Sequence, residues 1–333
     1  MENENKLDIL TIGDIATEPF IRIKEAEIEP EKGSKEDFNL CLDYGGKIPY
    51  ESAVICPAVG NSSNVAISTS RLGLRSSLMS YVGNDEVGQK DIDKLKEENV
   101  DTNYIKVIDG MDSNYHYVLW YKSERTILVR HTDFPYSLPK IEATPKWIYL
   151  SSLSINSISY HQEILNYLNE NKEIKFAIQP GTFQIRLGVD KLKGIYERAD
   201  IYFSNKEEAE KILNKEDSDV KSLLKEIYVL GPKIVIITDG IRGSYCFDGK
   251  EFLYMESLYE ESKTIENTGA GDAFSSAFIS ALVYGKNIKE ALVWGTINAS
   301  SVVQFVGPHK GLMRKEEIER KEKEIKIVPQ VLI

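Results

Sequence analysis

The sequence predicts an α/β fold with a mostly parallel central sheet and a small accessory β-sheet. Short apolar runs typical of buried strands alternate with segments of helical pattern along most of the 333 residues. This alternation is typical of a parallel sheet covered by helices on both faces. Residues 20–53 and 114–131 break the rhythm, because apolar and polar residues alternate there as they do in antiparallel strands.

Six segments are predicted to be strands of the central sheet. The first, residues 9–12, is an apolar run that ends at Gly13. The others are residues 77–82, 147–150, 175–178, 200–203 and 233–238. Helices are predicted at residues 64–72, 160–169, 206–213 and 275–282. We therefore expect a single domain over residues 1–333, with the accessory sheet built from separate segments of the chain.

Two charged segments are predicted to lie at the surface. Residues 25–37 carry Pro30 and Gly33 among charged side chains, which indicates an exposed loop within the accessory sheet. Residues 314–326 contain few apolar side chains, and a solvated terminal helix is expected there.

Composition and charge exclude several classes of function. The chain has 41 basic and 52 acidic residues and a net charge of −11, which argues against a nucleic-acid partner. Its three cysteines, Cys41, Cys56 and Cys246, show no metal-ligand spacing and fit a reducing cytoplasm. The first residues lack a secretory apolar core, and no apolar run is long enough to span a bilayer, so no membrane association is expected.

The most informative motif is Gly269-Ala270-Gly271-Asp272, which opens an apolar helix. Small residues at a helix start let unpaired backbone N–H groups approach an anion, and a phosphoryl group is the natural guest. Asp272 could simply complement the helix dipole. Thr268 or Asn267 could instead cap the helix, which would leave Asp272 free to face a ligand. The helix start should keep Asp272 ionised and therefore a weak base.

In this motif, and in the order of several others, the chain resembles the ribokinase-like (PfkB) carbohydrate kinases. The family signature Asp-Thr-x-Gly-Ala-Gly-Asp is matched from Gly269 to Asp272, with Glu266 and Asn267 in place of the leading Asp and Thr. The resemblance implies a three-layer α/β/α fold, Asp272 as catalytic base, and the backbone of Gly269, Ala270 and Gly271 as anion hole.

The resemblance also places an acceptor site. Residues 59–66 stand where the family has its Gly-Gly-x-x-x-Asn-x-Ala motif, with Val59 in place of the first glycine, which implies that Gly60 and Asn64 contact the substrate, with Asp272 beside them. Asn64 could equally be the N-cap of its helix. In the family, the turn after the first strand supplies an Asp that binds sugar hydroxyls. The matching position here holds Glu18, and Asp14 is the alternative, although either could be an ordinary strand-end carboxylate.

A nucleotide site follows from three later segments. By resemblance, Asn205 and Glu208 organise Mg²⁺ and the ATP phosphates, with Glu208 acting on the metal through water. The same pair could simply start a helix. The remaining residues that the resemblance assigns to nucleotide binding are Thr238, Gly240, Gly243 and Asn298.

The accessory sheet resembles the family's lid, formed by residues 18–53 and 112–132, and closure of a lid would exclude water. The aromatic run 115–121 could contact substrate, pack the sheet, or form a homodimer through the lid. Arg125 matches a lid arginine whose role stays open. In several family members, the Asp at the position of Glu266 helps to form a K⁺ site beside the anion hole. Because this chain has Glu266 there, the presence of a K⁺ site is in question.

The predicted function is transfer of the ATP γ-phosphoryl group, with Mg²⁺, to a hydroxyl of a ribose- or fructose-like sugar. The alternatives are a nucleoside acceptor and a non-catalytic sugar- or nucleotide-binding regulator on the same fold. A dinucleotide-dependent oxidoreductase would need a Gly-x-Gly-x-x-Gly turn after the first strand, and residues 13–18 lack it.

Overall fold

The computed structural model describes residues 7–30, 38–122, 124–325 and 327–332. The strands are β1 (Leu7–Ile12), β2 (Ala16–Ile23), β3 (Glu27–Pro30), β4 (Phe38–Cys41), β5 (Tyr50–Val59), β6 (Ser76–Gly83), β7 (Ile105–Ile108), β8 (Asn114–Tyr121), β9 (Glu124–Arg130), β10 (Pro145–Leu150), β11 (Lys175–Ile178), β12 (Ile201–Asn205), β13 (Ile234–Thr238), β14 (Ser244–Phe247), β15 (Phe252–Met255) and β16 (Gln330–Val331). The helices are α1 (Asn61–Arg71), α2 (Glu86–Glu97), α3 (Ile158–Glu170), α4 (Thr182–Leu187), α5 (Val189–Arg198), α6 (Lys206–Leu213), α7 (Val220–Val229), α8 (Ala270–Val283), α9 (Ile288–Val302) and α10 (Lys315–Glu324).

The large sheet has the strand order β16-β15-β14-β13-β12-β11-β10-β1-β6-β7 in the described part of the chain. From β13 to β7 each neighbouring pair is parallel, whereas β14, β15 and β16 extend one edge in antiparallel pairing. All six predicted strands lie in the parallel part, so the predicted fold class is confirmed. The sequence reasoning did not find the antiparallel extension.

The core lies on both faces of this sheet. Along β1, Leu10 and Ile12 pack into one apolar cluster, and Ile9 packs into another. The first cluster includes buried residues of α3, α5 and α7, and the second includes those of α8 and α9. Because successive strand residues point to opposite faces, a strand buried on both sides is mostly apolar. Residues 9–12 therefore show no regular polar alternation, and the hydroxyl of the buried Thr11 donates to the carbonyl oxygen of Ser77.

The small sheet has the order β5-β2-β8-β9. Its strands come from both of the irregular segments, as predicted, but β3 and β4 of the first segment form a separate two-stranded sheet. The expected antiparallel pairing is wrong for β2 and β8, which run parallel. The loop predicted at 25–37 is wrong over Glu27–Pro30, an exposed strand that pairs with Phe38–Cys41. Residues 31–37 lie outside the described part of the chain.

The C-terminal prediction is confirmed, since α10 is a charged helix with Ile318 as its buried residue. Among the described residues, no helix combines the length and apolarity needed to cross a bilayer.

Candidate active site

The carboxyl ends of the parallel strands meet at one edge of the large sheet and carry three of the predicted site residues, Asp14, Asn205 and Thr238. Asp14 follows β1, Gln179 comes directly after β11, Asn205 ends β12 and Thr238 ends β13. Asn205 and Thr238 are register partners in adjacent strands. In open parallel sheets this edge is where ligands bind.

Helix α8 begins over this edge at the glycine turn. Gly269 is the N-cap residue and has a left-handed backbone with φ 79°. A Cβ atom at Gly269 would lie 2.5 Å from Cβ of Pro308, so both conformation and space require glycine. No side chain caps α8. The prediction that Thr268 or Asn267 is the cap is therefore wrong, because the left-handed backbone of Gly269 begins the helix without a capping side chain.

Three side-chain amides converge on the carboxylate of Asp272. Asn61 and Gln179 each donate to Oδ1 at 2.9 Å, and Asn64 donates to Oδ2 at 2.7 Å. Asp272 is 5% exposed, so these contacts lie in the interior. A carboxylate has about four lone-pair sites. The two on Oδ1 are used, and Oδ2 keeps one for a further donor.

Burial raises the pKa of Asp272 above its ordinary value of 3.8. Hydrogen bonds from the three amides oppose the rise, as does the positive charge of Arg125. Asp272 is therefore a stronger base than its place at a helix start predicts. Arg125, whose role the sequence left open, lies close enough to act on this carboxylate through its charge.

Asn64 is not a helix cap. The N-cap of α1 is Gly60, and Asn64 lies inside the first turn with its side chain directed at Asp272. Its Oδ1 accepts from Nε2 of His309 at 2.9 Å. Burial, with the charges of Arg71 and Lys94, lowers the pKa of His309 to about 3, so this imidazole is neutral and donates through Nε2. That bond fixes which end of the amide faces Asp272.

The two predicted substrate carboxylates each hold a histidine of the small sheet. Nε2 of His131 lies 2.8 Å from Oδ2 of Asp14, and the hydroxyl of Tyr136 lies 2.8 and 2.9 Å from the two Asp14 oxygens. Nδ1 of His116 lies 3.0 Å from Oε1 of Glu18. Both carboxylates are thus buried and paired rather than ordinary exposed strand-end groups.

Gly60 joins this region through its backbone. Its φ of 138° is a conformation that other residues rarely adopt, and a Cβ atom there would lie 2.5 Å from the carbonyl oxygen of Asp14. Glycine is needed here for the close approach of α1 to the turn after β1.

On the nucleotide side, Asn205 and Glu208 form a capping box at the start of α6. Oδ1 of Asn205 accepts from the Glu208 amide at 2.8 Å, and Oε2 of Glu208 accepts from the Asn205 amide at 3.0 Å. Burial raises the pKa of Glu208, and the charge of Asp272 adds to the rise. The structure therefore brings Glu208 within electrostatic range of Asp272.

Gly240 begins the short 3₁₀ turn Gly240–Arg242 after Thr238, and Gly243 directly follows it, at the same edge. Asn298 does not join them. It is fully buried in α9, where Nδ2 donates to Ser68 Oγ and to the carbonyl oxygen of Ala273, and Oδ1 accepts from the amide of Met313. Both amide hydrogens are used in packing α9 on its neighbours, which leaves none for a nucleotide.

The described residues contain no group of three or more His, Cys, Asp or Glu side chains that could hold a metal ion by themselves. Glu266, at the position of the questioned K⁺ site, accepts from the amides of Gly307 and Thr268 at 2.8 and 2.7 Å. Its carboxylate therefore ties the segment before α8 to the segment after α9.

Comparison with known proteins decides the family. The model of the pfkB family carbohydrate kinases matches residues 37–313. The chain belongs to this family. ATP-dependent 6-phosphofructokinase of Thermoanaerobacterium thermosaccharolyticum is 25% identical over 316 residues, which cover 92% of this kinase and 90% of the relative.

Solved structures agree with the fold. Arabidopsis thaliana ribokinase complexed with ribose and ATP aligns with a TM-score of 0.75 at 17% identity, covering 94% of this kinase and 98% of that chain. The nucleoside kinase of Methanocaldococcus jannaschii aligns with a TM-score of 0.74 at 18% identity, covering 96% and 100%. The resemblance drawn from the motifs is confirmed, and the protein is an ATP-dependent phosphotransferase whose acceptor is a hydroxyl group.

Several residues of this kinase's site escaped the sequence reasoning. Gln179 carried a usable signal, since a polar residue directly after a buried parallel strand lies at the ligand edge. Asn61 stood inside a quoted motif without being singled out. His116 lay inside the aromatic run 115–121 without being singled out. His131 and His309 carried no local signal, because their partners lie 117 and 245 positions away in the chain.

Proposed function

We propose that this kinase transfers the γ-phosphoryl group of ATP to a hydroxyl of a sugar or nucleoside, with Asp272 as the catalytic base. The observation that carries the proposal is the convergence of Asn61, Asn64 and Gln179 on a buried carboxylate at the start of α8. Amides can donate to this carboxylate and hold it in place without neutralising it.

Asp272 can take the proton of the attacking hydroxyl. The remaining lone pair on Oδ2 is the acceptor, and the raised pKa strengthens it as a base. Phosphoryl transfer passes through a loose transition state, so positioning and charge stabilisation matter more than base strength. A carboxylate fixed by three donors satisfies the positioning requirement.

The start of α8 supplies the anion hole. The first N–H groups of a helix have no partner within it and lie at the positive end of the dipole. At Gly271, the nearest atom to an added Cβ would be Nε2 of Gln179, at 3.9 Å. The protein therefore leaves space beside Gly271, on the side where Asp272 and Gln179 meet, and backbone N–H groups there would receive the transferred phosphoryl group.

ATP would lie along the edge formed by β12 and β13, against Asn205, Glu208, Thr238, Gly240 and Gly243. Mg²⁺ suits this place because it binds through few carboxylates and keeps waters and phosphate oxygens as its other ligands. Glu208 is a single carboxylate close to Asp272 and fits that role. When bound, the ion would neutralise charge on the phosphates.

The acceptor would lie between Asp272 and the small sheet, with Asp14, Glu18, Gly60 and Asn64 around it. Glu18 and His116 both lie in the small sheet, on β2 and β8, whereas Asp14 precedes the sheet and pairs with His131 directly after β9. Movement of the small sheet relative to Asp14 and Asp272 would therefore open or close the acceptor site, which is the action expected of a lid that excludes water.

A second copy of the chain would cover the apolar side chains that the small sheet exposes. Ile55 on β5 is 64% exposed, and Leu128 and Val129 on β9 are 53% and 57% exposed. Exposed apolar groups of this size on edge strands favour association. We therefore propose a homodimer through the lid, and a monomeric mass by light scattering at micromolar concentration would contradict it.

Substitution Asp272→Asn tests the base. ADP formation is measured with a panel of pentoses, hexoses and nucleosides, and the product is identified by mass spectrometry. Turnover should fall by about a thousandfold or more while nucleotide binding stays within a few-fold of wild type. Asp190→Asn is the matched control, since Asp190 also lies in the first turn of a helix but is exposed. Near-normal turnover of Asp272→Asn removes the base assignment, and sugar binding without phosphorylation favours a non-catalytic binder.

A further inference from the structure

Two histidines of the small sheet form a pair at the acceptor site. His116 lies on β8 and His131 directly follows β9. Their rings stack, with centroids 5.8 Å apart and planes at 23°. Their side chains are 14% and 13% exposed, so the pair is largely enclosed.

Each imidazole is oriented by a carboxylate. His116 meets Glu18 through Nδ1, and His131 meets Asp14 through Nε2. An ionised carboxylate only accepts hydrogen bonds, so each of these ring nitrogens carries the hydrogen. The opposite nitrogens, Nε2 of His116 and Nδ1 of His131, are thereby left for another partner.

Those two nitrogens are buried and have no hydrogen-bond partner among the described residues. A buried polar atom without a partner costs on the order of 1–3 kcal/mol. Two such atoms on stacked rings, each ring anchored to a predicted substrate carboxylate, indicate that a ligand supplies the missing partners.

We infer that His116 and His131 bind hydroxyl groups of the acceptor, and that the acceptor is an uncharged polyhydroxy compound rather than a sugar phosphate. This inference rests on the proposed function and narrows its substrate class. Asp14 and Glu18 then act through the histidines as positioning residues.

The choice of hydroxyl follows from hydrogen-bond chemistry. A neutral imidazole offers an acceptor at its free nitrogen and an imidazolium offers a donor, and a hydroxyl can pair with either. A fully ionised phosphate has no hydrogen to donate and can pair only with the imidazolium. A hydroxyl is therefore the group that satisfies these nitrogens in both protonation states.

Charge points the same way. The carboxylates of Asp14, Glu18 and Asp272 carry three negative charges, which two imidazolium rings and the guanidinium of Arg125 would only balance. A phosphate beside the pair would add negative charge with no excess positive charge to offset it, and unpaired buried charge is costly. An uncharged acceptor avoids this cost. Phe183, whose ring centroid lies 5.4 Å from that of His131, adds an apolar wall suited to the C–H face of a sugar.

The test uses variants that keep the carboxylate bonds but remove the free nitrogens. The Asn amide nitrogen occupies roughly the place of Nδ1 of histidine, and that of Gln the place of Nε2. His116→Asn therefore retains a donor for Glu18, and His131→Gln retains one for Asp14. The substrates are matched pairs that differ by one phosphate: D-fructose with D-fructose 6-phosphate, and D-ribose with D-ribose 5-phosphate.

Wild type should prefer the unphosphorylated member of a pair by about a hundredfold in kcat/KM, the scale expected when a buried site must accept an uncompensated charge. Each variant should raise the sugar KM by about 10-fold or more, with kcat and the KM for ATP within a few-fold of wild type. A merely structural role would instead lower kcat or stability and move both KM values. Preference for the phosphorylated member, or an unchanged sugar KM in both variants, overturns the inference while leaving the proposed transfer reaction intact.

Calorimetric titration with D-fructose or D-ribose, in the presence of a non-hydrolysable ATP analogue, measures whether His116 and His131 contribute to sugar binding when no turnover occurs. Wild type should bind at least one of the two sugars, and both variants should bind it at least about 10-fold more weakly. Failure of wild type to bind either sugar, or equal binding by the variants, overturns the inference. Binding that depends on the histidines without any phosphorylation would instead overturn only the proposed reaction.

Discussion

Nδ2 of Asn64 lies 2.7 Å from Oδ2 of Asp272, and this bond joins α1 to α8 across the acceptor site. Neutral His309 fixes the amide orientation by donating to Oδ1 of Asn64. The side chains of His309, Asn64 and Asp272 are thus hydrogen-bonded in series, and this series positions the Asp272 oxygen that keeps a free lone pair. Removal of the Asn64 amide should therefore affect the chemical step.

Asn64→Ala removes the donor from that oxygen. We expect kcat/KM to fall by about 10- to 100-fold, since one hydrogen bond to a charged group contributes about 1.5–3 kcal/mol. Steady-state kinetics measures the loss, and Asn166→Ala on the exposed face of α3 serves as the control. An unchanged kcat/KM would show that Asn64 does not position the base.

Gln179→Leu should shift the pH dependence of kcat/KM. The ionised carboxylate of Asp272 is the active form, so activity should fall as pH decreases through a pKa that burial has raised above 3.8. Gln179 favours the ionised form by donating to Oδ1. Its loss should raise the pKa further and move the acid limb to higher pH. The matched control is Gln162→Leu on α3, and identical acid limbs in the three proteins would refute the assignment.

Two glycines of one turn should respond differently to alanine. Gly269→Ala places a Cβ on a left-handed residue and 2.5 Å from Pro308, so the free energy of unfolding should fall by about 1–2 kcal/mol or more. Gly271→Ala has room in the protein and lies in a helix, where alanine is favoured by up to about 1 kcal/mol. Its methyl group would occupy the anion hole, so turnover should drop by about 10-fold or more with no loss of stability. Denaturant unfolding and kinetics on both variants separate the two effects. Full activity of Gly271→Ala would refute the anion hole.

Asp91 should make stability depend on pH. It is fully buried in α2, and its Oδ1 accepts from Thr17 of β2 and from the amide of Ala58 at the end of β5. Burial raises its pKa from 3.8 to about 6. Because the folded state binds this proton more tightly than the unfolded state, Asp91 favours folding only while it is protonated. Its contribution to the free energy of unfolding is complete below pH 3.8 and is lost as pH rises through 6.

Asp91→Asn keeps an acceptor for Thr17 and Ala58 without the charge. A pKa that is higher by about two corresponds to about 3 kcal/mol. Above pH 6, the free energy of unfolding of Asp91→Asn should therefore exceed that of wild type by about this amount. The exposed Asp93→Asn on the same helix is the control. Thermal unfolding from pH 4 to pH 8 measures the effect, and parallel profiles for wild type and Asp91→Asn would contradict it.

Turnover should not require K⁺. Each oxygen of Glu266 accepts a backbone N–H, from Thr268 and from Gly307, so the carboxylate itself joins the segment before α8 to the segment after α9. We expect the rates of ADP formation in potassium chloride and in choline chloride to agree within about twofold when the ionic strength is equal, because the two salts then screen charges equally. A large loss in choline chloride would show that a cation contributes despite Glu266.

The fold was largely predictable because its signals are local. Strands buried on both faces are continuous apolar runs, and the glycine turn before α8 is visible in four consecutive letters. The parallel pairing of β2 with β8 was missed because strand direction in the small sheet depends on how distant segments meet. The capping box of Asn205 and Glu208 was also visible locally, since its two residues are three positions apart.

By itself, the sequence determined an α/β fold and a glycine turn directly before Asp272, since short-range backbone geometry sets both. Only the tertiary structure decided what surrounds that carboxylate. Gln179 reaches Asp272 across 93 positions, and His131 reaches Asp14 across 117. The order of the strands in the sheet sets such contacts, and they also turned Asn298 from a predicted nucleotide contact into a buried packing residue.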